Sequence, residues 1–410
     1  MKKIVRIAKG ISLLTVAALV LASCGKSGNP TAQNPGDAST TTGMAYNEEN
    51  GFQVNDFQGQ PEAPNLVYIE GGRMVLGSFE EDLLKNGDNI ERTVTVASFW
   101  MDETEIANIH WLEYMFYVGR DSSQEFAEST KPDTTVWVSE LAYNDPYSEH
   151  YLRYPGFRYF PVVGVKWTQA NDYCVWRTNV VNQNLAKNAG IEVPEGGGRI
   201  PLESGVVVPN YRLPSEAEWQ YAAQALIGNQ WLDENQTHNR LYPWDGHAMR
   251  NPYGKQMGMF LANFKRGRGD YAGIAGKLND GAMITASIYE FPPNDFGLYC
   301  MAGNVNEWVA DVYRPLSFTD DKQSGGMDDL NPHRRNGYLD EATISGSSRT
   351  GYDKAGFQST IDDQTRVYKG GSWKDVAYWL SPGTRRYMQQ DSCTATIGFR
   401  CAMIQAGTNY

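Results

Sequence analysis

Histidine and cysteine are scarce in this chain, five of each in 410 residues. His110, His150, His238, His247 and His333 stand apart with no metal-ligand spacing, so no histidine-built metal centre is read from them. A nucleophile elbow and a phosphate loop are also missing. Ser204-Gly205 and the scattered Asp-Gly and Gly-Asp pairs lack the context those motifs need. Basic charge falls short too, with 36 Lys and Arg against 48 Asp and Glu. Residues 1–23 carry four of those bases and no acid, so the remainder balances 32 against 48, a formal charge of −16. Such a surface repels phosphate backbones and excludes nucleic acid as a partner. Scattered carboxylates on so acidic a chain read as solvated faces, and no acid–base pair stands out among them.

Long apolar runs are equally scarce. The one at the start, residues 11–21, follows a basic stretch of Lys2, Lys3, Arg6 and Lys9 and is too short for a stable membrane span. It ends in Leu21-Ala22-Ser23-Cys24, small or apolar residues directly before a cysteine, which resembles a bacterial lipobox. Residues 1–23 are therefore expected to be a lipoprotein signal peptide and Cys24 to be acylated. An ordinary cleaved signal with a chance cysteine is the alternative. Residues 24–62 are rich in Gly, Ser, Thr, Asn, Gln and Pro and cannot build a core, so they read as a flexible tether. A coil of roughly 25 residues reaches on the order of 25–30 Å from its anchor.

From about Pro64 the composition turns globular. Glycine (41 residues) and aromatics (50) over ordinary charge predict a loop-heavy domain with a core of Trp and Tyr. Residues 66–77 alternate around Glu70-Gly71-Gly72 and predict a hairpin. Asn108 reads as the N-cap of a helix carrying Trp111, Tyr114, Met115 and Val118 and stopping at Gly119. A second helix is predicted from Thr168 towards Lys187. A third opens on Ser215 and Glu218, a capping box, with Trp219, Ala222, Ala223 and Leu226 as its apolar stripe. With no second composition break and no repeat, residues 63–405 read as one α+β domain. Polar insertions near 119–160, 182–210 and 316–365 read as surface excursions.

Six strings then occur in a fixed order. They are Val67-Tyr68-Ile69-Glu70-Gly71-Gly72, Met101-Asp102-Glu103-Thr104-Glu105-Ile106, Pro161-Val162-Val163-Gly164-Val165, Tyr211-Arg212-Leu213-Pro214-Ser215-Glu216-Ala217-Glu218-Trp219, Gly303-Asn304-Val305-Asn306-Glu307-Trp308, and Gly370-Gly371-Ser372-Trp373 with Gly398-Phe399-Arg400-Cys401-Ala402. Together they resemble the formylglycine-generating enzyme (sulfatase-modifying factor) family. The resemblance implies a formylglycine-generating-enzyme-like, C-type-lectin-related fold. In the oxidases of that family one catalytic cysteine falls two residues after the aromatic of Gly-Gly-Ser-aromatic and the other five residues later. Those positions are Asp375 and Leu380 here. Thiol oxidation needs a thiolate, or a cysteine pair that binds a soft metal such as copper(I), so neither catalytic residues nor copper are expected. Asn306 also stands where many members carry a tryptophan.

Within the family, Asn171-Asp172-Tyr173-Cys174, Asn263-Phe264-Lys265-Arg266-Gly267-Arg268-Gly269-Asp270-Tyr271 and Ser381-Pro382-Gly383-Thr384-Arg385-Arg386 resemble the lipoproteins of gliding motility and type IX secretion. That implies a non-catalytic scaffold, held to the outer membrane by its acyl chains. Its partners would be other gliding and type IX secretion proteins, GldK-like lipoproteins among them. Gly25-Lys26-Ser27-Gly28 lacks the acidic residues linked to surface export in such lipoproteins, which implies a body facing the periplasm. The alternatives are a glycan- or peptidoglycan-binding lectin-like module and a formylglycine-generating-type oxidase.

The resemblance also implies a Cys174–Cys401 disulfide in an oxidising compartment. Four buried thiols are the other reading, and Cys300 and Cys393 either pair or stay free. For calcium it implies two ligand sets. The first is the Asn263 side chain, the Phe264 carbonyl, Asp280 and the Ala282 carbonyl, unless Asn263 and Asp280 only cap turns. The second is the carbonyls of Gly303 and Val305 with the Glu307 carboxylate, its usual asparagine being Cys300 here. Lys265-Arg266-Gly267-Arg268 is a basic run on an acidic chain, either a solvated loop or a contact for lipid head groups, cell-wall polymer or an acidic partner. Arg385 and Arg386 are candidates to pair with Asp375 inside the fold.

Overall fold

This computed structural model describes residues 30–407 apart from 32, 34–35, 50, 56, 58, 79–88, 90, 139–143, 192, 194–199, 228–239, 267–280 and 314–362. Cys24, Arg268, Asp280 and most of the 316–365 segment lie outside the described residues. The described residues between 30 and 57, with Glu203–Gly205, form a small unit of their own. Within it Ala38 bridges Ala45 around a turn in which Ser39 N donates to Met44 O at 2.8 Å. The other residues form the body, described next. Among the described residues no helix is long and apolar enough to cross a membrane.

Three small sheets carry the body. Strand β1 (Leu66–Ile69) pairs with β4 (Phe99–Asp102), and β4 with β9 (Ala402–Ile404). Strand β2 (Gly72–Leu76) pairs with β3 (Arg92–Val96). The hairpin expected over residues 66–77 is therefore not formed, because β1 and β2 take different partners. Gly71 marks the crossing: a Cβ there would stand 2.4 Å from Val96 O, so only glycine lets the chain pass. Alternation within each strand is satisfied by either partner, which is why it misleads. In the third sheet β5 (Asn306–Val312) lies between β6 (Thr365–Lys369) and β8 (Ile397–Gly398), with β7 (Arg386–Gln389) outside β6.

Helix α1 (Asn108–Asp121) buries Trp111, Tyr114 and Val118 as expected, but its cap is Ala107. Asn108 is inside the helix, and its amide donates to Tyr151 O at 3.0 Å and Phe157 O at 2.9 Å. The helix also runs past Gly119. A glycine inside a helix costs only about 1 kcal/mol, and Ser122 N still closes on Val118 O. Segment 119–160 is not the surface excursion its polarity suggested. It holds α2 (Gln124–Ser129), a 3-10 turn at Thr134–Trp137 and α3 (Asp145–His150). Trp137 and Tyr151 bury their rings, centroids 4.7 Å apart, against Val163, Val305 and Trp373. With Tyr147, Phe157 and Phe160 packed beside them, these rings make an otherwise polar stretch core.

Helix α4 (Trp167–Asn188) sets Tyr173 in a stack on Trp111 at 5.5 Å, with Phe399 edge-on to both. Arg177 on the same helix forms a buried pair with Asp102, nitrogen to oxygen 2.7 Å, and lies 4.1 Å over the Tyr211 ring. Helix α5 (Glu216–Gln224) opens on the expected capping box. Ser215 Oγ accepts from Glu218 N at 3.2 Å, and Glu218 Oε2 accepts from Ser215 N at 2.8 Å. Trp219, Ala222 and Ala223 are fully buried, whereas Leu226 lies beyond the left-handed cap at Ala225.

Candidate functional site

The end of β6 leads into Gly370 and Gly371, both at positive φ, +98° and +71°. A Cβ on Gly371 would meet Leu380 Cδ1 at 2.8 Å and Trp379 O at 2.9 Å, so this turn requires glycine. It delivers Ser372 to Asp375. Ser372 Oγ donates to Asp375 Oδ2 at 2.5 Å, and Asp375 N donates to Ser372 O at 2.9 Å. Asn306 Nδ2, at the start of β5, donates to the same Oδ2 at 3.2 Å.

Arg386, at the start of β7, closes the cluster. Its Nη1 and Nη2 donate to Asp375 Oδ1 and Oδ2, both at 2.7 Å, and Nη2 also donates to Asn306 Oδ1. The guanidinium lies 4.5 Å from the Trp379 ring centroid and 5.0 Å from that of Tyr368. Burial alone would raise the Asp375 carboxyl. The Arg386 hydrogen bonds and charge, with Ser372 and Asn306, outweigh it and hold the group below the usual carboxylate range. Asp375 is thus held as a carboxylate at neutral pH, with one donor on Oδ1 and three on Oδ2.

Leu380 is fully buried among Tyr242, Ala262, Phe264 and Ala302. Beside Asp375 a cleft of about 270 Å³ opens, lined by Val136, Trp137, Asn144, Lys374, Cys393 and Thr396 among others. Cys393 is the sole thiol on its wall. Burial, then Asp133 with Oδ2 at 3.9 Å, raise that thiol above its ordinary value, so at neutral pH it is a protonated, weak nucleophile. Burial likewise pushes Cys300 well up, with Glu105 adding to it.

Of the two candidate arginines, Arg386 pairs with Asp375. Arg385 instead meets Glu216 at 2.9 Å in a buried cluster that includes Lys369, 3.5 Å from the same carboxylate. Sequence reasoning missed the roles of Ser372 and Asn306. The Ser-x-x-Asp spacing could have suggested the first. Nothing local could have suggested the second, since β5 and the 370–375 turn meet only through the sheet.

Cys174 and Cys401 are brought together as expected, Sγ to Sγ 3.5 Å, but here they are two buried thiols. The first calcium set is partly described. Asn263 Nδ2 donates to Ile284 O at 2.7 Å, which turns the Oδ1 the other way, while Asp280 lies outside the described residues. The second set does not fit the ion. Glu307 accepts from Arg400 Nε and Nη2 and from Trp219 Nε1, each at 2.7 Å, so the carboxylate is saturated beside a fixed positive charge. Cys300 is a thiol, a poor partner for a hard cation. Glu105 nearby is also buried. Desolvation, then Glu307, pushes its carboxyl well up. Among the described residues no group of three His, Cys, Asp or Glu side chains is gathered as a metal site.

The model of the sulfatase-modifying factor enzyme 1-like domain matches residues 52–404. The formylglycine-generating enzyme of Bos taurus is 25% identical, over 93% of this chain and 86% of the enzyme. The inactive C-alpha-formylglycine-generating enzyme 2 of Bos taurus is 24% identical, over 84% of this chain and 89% of its own. Among solved structures PvdO from Pseudomonas aeruginosa is similar at 18% identity and a TM-score of 0.48, over 86% of this chain and 100% of that one. Relatives of both active and inactive name thus share the domain. The family model spans well over half of the chain and fits its α+β body, so the chain belongs to the sulfatase-modifying factor enzyme 1-like family.

Proposed function

We propose that this chain is a non-catalytic lipoprotein of the outer membrane, facing the periplasm and serving as a scaffold in gliding motility and type IX protein secretion. Within that group the resemblance is to GldJ, with GldK as the second choice. One observation supports the non-catalytic part: Asp375 is paired with Arg386 and Leu380 is buried, at the two positions where the family resemblance implies thiols. A fixed ion pair and an alkyl group can neither exchange disulfides nor bind copper(I). Acyl chains on Cys24 would tie the body to the membrane, and stable attachment takes more than one chain. Calcium is proposed at the first ligand set alone, with Asn263, Phe264, Asp280 and Ala282 supplying oxygens.

The buried state of Trp137 and Trp373, at 3% and 4% exposure, weighs against the glycan-binding alternative, because the cleft offers no open aromatic face for a sugar to stack on. Crosslinking in the native envelope tests the reading. Recovery of other type IX secretion lipoproteins is expected, and recovery of polysaccharide alone would overturn it. Incubation with a peptide bearing the sulfatase cysteine motif is expected to give no aldehyde, whereas an aldehyde product would restore the oxidase.

A further inference from the structure

Between Asp245 and Asp270 this acidic chain has five Lys or Arg residues and not one Asp or Glu. The described part of that stretch is an ordered hairpin. Leu261 N donates to Met249 O at 3.0 Å, Asn251 N to Met259 O at 2.8 Å and Gly258 N to Asn251 O at 2.8 Å, and Arg250 bridges Phe260. Tyr253 N is held by Asn251 Oδ1 at 2.9 Å, and the Arg250 guanidinium lies 3.9 Å over the Phe260 ring. The base is fixed as well. Phe260, Ala262 and Phe264 pack with Tyr242, Trp244 and Leu380, so the leucine at the second thiol position supports this hairpin from below.

The tip gathers three exposed apolar side chains within seven residues. Tyr253 is 79% exposed, Met257 70% and Met259 40%, although the hairpin beneath them is well bonded. Lys255 sits between them and is exposed too. Exposed apolar side chains around a cation, on a hydrogen-bonded hairpin with no carboxylate on either strand, match a lipid interface. Tyr and Met enter the acyl boundary, and the lysine stem lies along it with its ammonium among phosphates. An acidic protein partner would account for the same charge, and absence of vesicle binding in the test below would favour it over lipid.

We propose that the 249–261 hairpin docks on an anionic lipid surface through Tyr253, Lys255, Met257 and Met259. The docking is separate from the machine assignment above, and the proposed acyl anchor would only bring the surface within reach. It would fix the orientation of the body, which a flexible tether alone leaves free.

The test uses residues 24–410 carrying Cys24→Ser, so that neither the N-terminal apolar run nor an acyl chain contributes. Co-sedimentation is measured with vesicles of phosphatidylethanolamine and phosphatidylglycerol, and with phosphatidylcholine alone. Binding to the anionic vesicles is expected, with weakening in high salt. Loss of one basic contact is worth about fivefold, so Lys255→Ala should lower the binding constant about that much and Lys255→Glu by tenfold or more. A Tyr253→Ser/Met257→Ser variant should fall at least as far, and its thermal unfolding should match the parent because both side chains are exposed. Equal binding to neutral and anionic vesicles, no binding to either, or binding that all these variants retain would overturn the proposal.

Discussion

Arg386 meets Asp375 through two parallel hydrogen bonds of 2.7 Å, so the residue two places after Trp373 is one half of an ion pair. The pair lies against Tyr368 and Trp379, with both side chains largely covered, 21% and 16% exposed. Removing the guanidinium would leave Asp375 buried with only Ser372 and Asn306 for support. Arg386→Ala should therefore lower unfolding free energy by about 2–3 kcal/mol, short of the 3–5 of a fully buried pair. Arg386→Ala/Asp375→Ala should recover part of that loss. Urea titrations of the two variants check the order.

The same pair gives the acid limb of stability a sign. The folded Asp375 carboxyl lies below its unfolded value, so its contribution is complete above the ordinary carboxylate range and is lost as pH falls through the folded value. Asp375→Asn should be less stable at pH 7 and should lose less of its stability than the parent on acidification. Parallel acid limbs would show that the group is not tied to Arg386 in the way described.

Lys369 acts at the other end of the scale. Burial lowers its amine to about 8, against the opposing pull of Glu216. Between that value and the unfolded one the unfolded chain holds the extra proton, so stability should rise with pH above about 8, by at most about 1.4 kcal/mol per unit. Lys369→Met should flatten this limb and be neutral or stabilising at pH 7, because Arg385 still neutralises Glu216. Thermal melts from pH 7 to 10 decide it.

Cys174 and Cys401, 227 positions apart, need to approach by only roughly 1.5 Å to reach disulfide length. Burial, then the Cys174 thiol beside it, raises Cys401 well above its ordinary value, so oxidation is expected while the chain folds and not afterwards. Protein refolded under oxidising conditions should give a Cys174–Cys401 peptide and melt higher than its reduced form. The chain-entropy limit for so long a loop is about 5 kcal/mol. Cys174→Ala should abolish the difference; a melt insensitive to reductant in the parent would remove the disulfide from the account.

Leu380 supports the turn above it and the hairpin beside it, so truncation should be costly. Leu380→Ala should lose about 2–5 kcal/mol, as other buried leucines do. Restoring both thiols, Asp375→Cys/Leu380→Cys, should also destabilise, because it strands Arg386 and opens space under Phe264. Calorimetry of the two variants gives the comparison.

The Ser215–Glu218 cap, the Trp219 stripe and the buried face of α1 could be read directly from residue order, because capping and helical spacing act over a single turn. That residues 375 and 380 are Asp and Leu was equally plain, since residue identity needs no geometry. Tertiary structure decided the rest. It sent β1 and β2 to separate sheets at Gly71, turned the polar 119–160 segment into core through Trp137 and Tyr151, and gave Asp375 to Arg386 and Glu216 to Arg385. Those outcomes depend on partners from 11 to more than a hundred positions away, and for charged groups the energy lies in burial and pairing that only the closed fold creates.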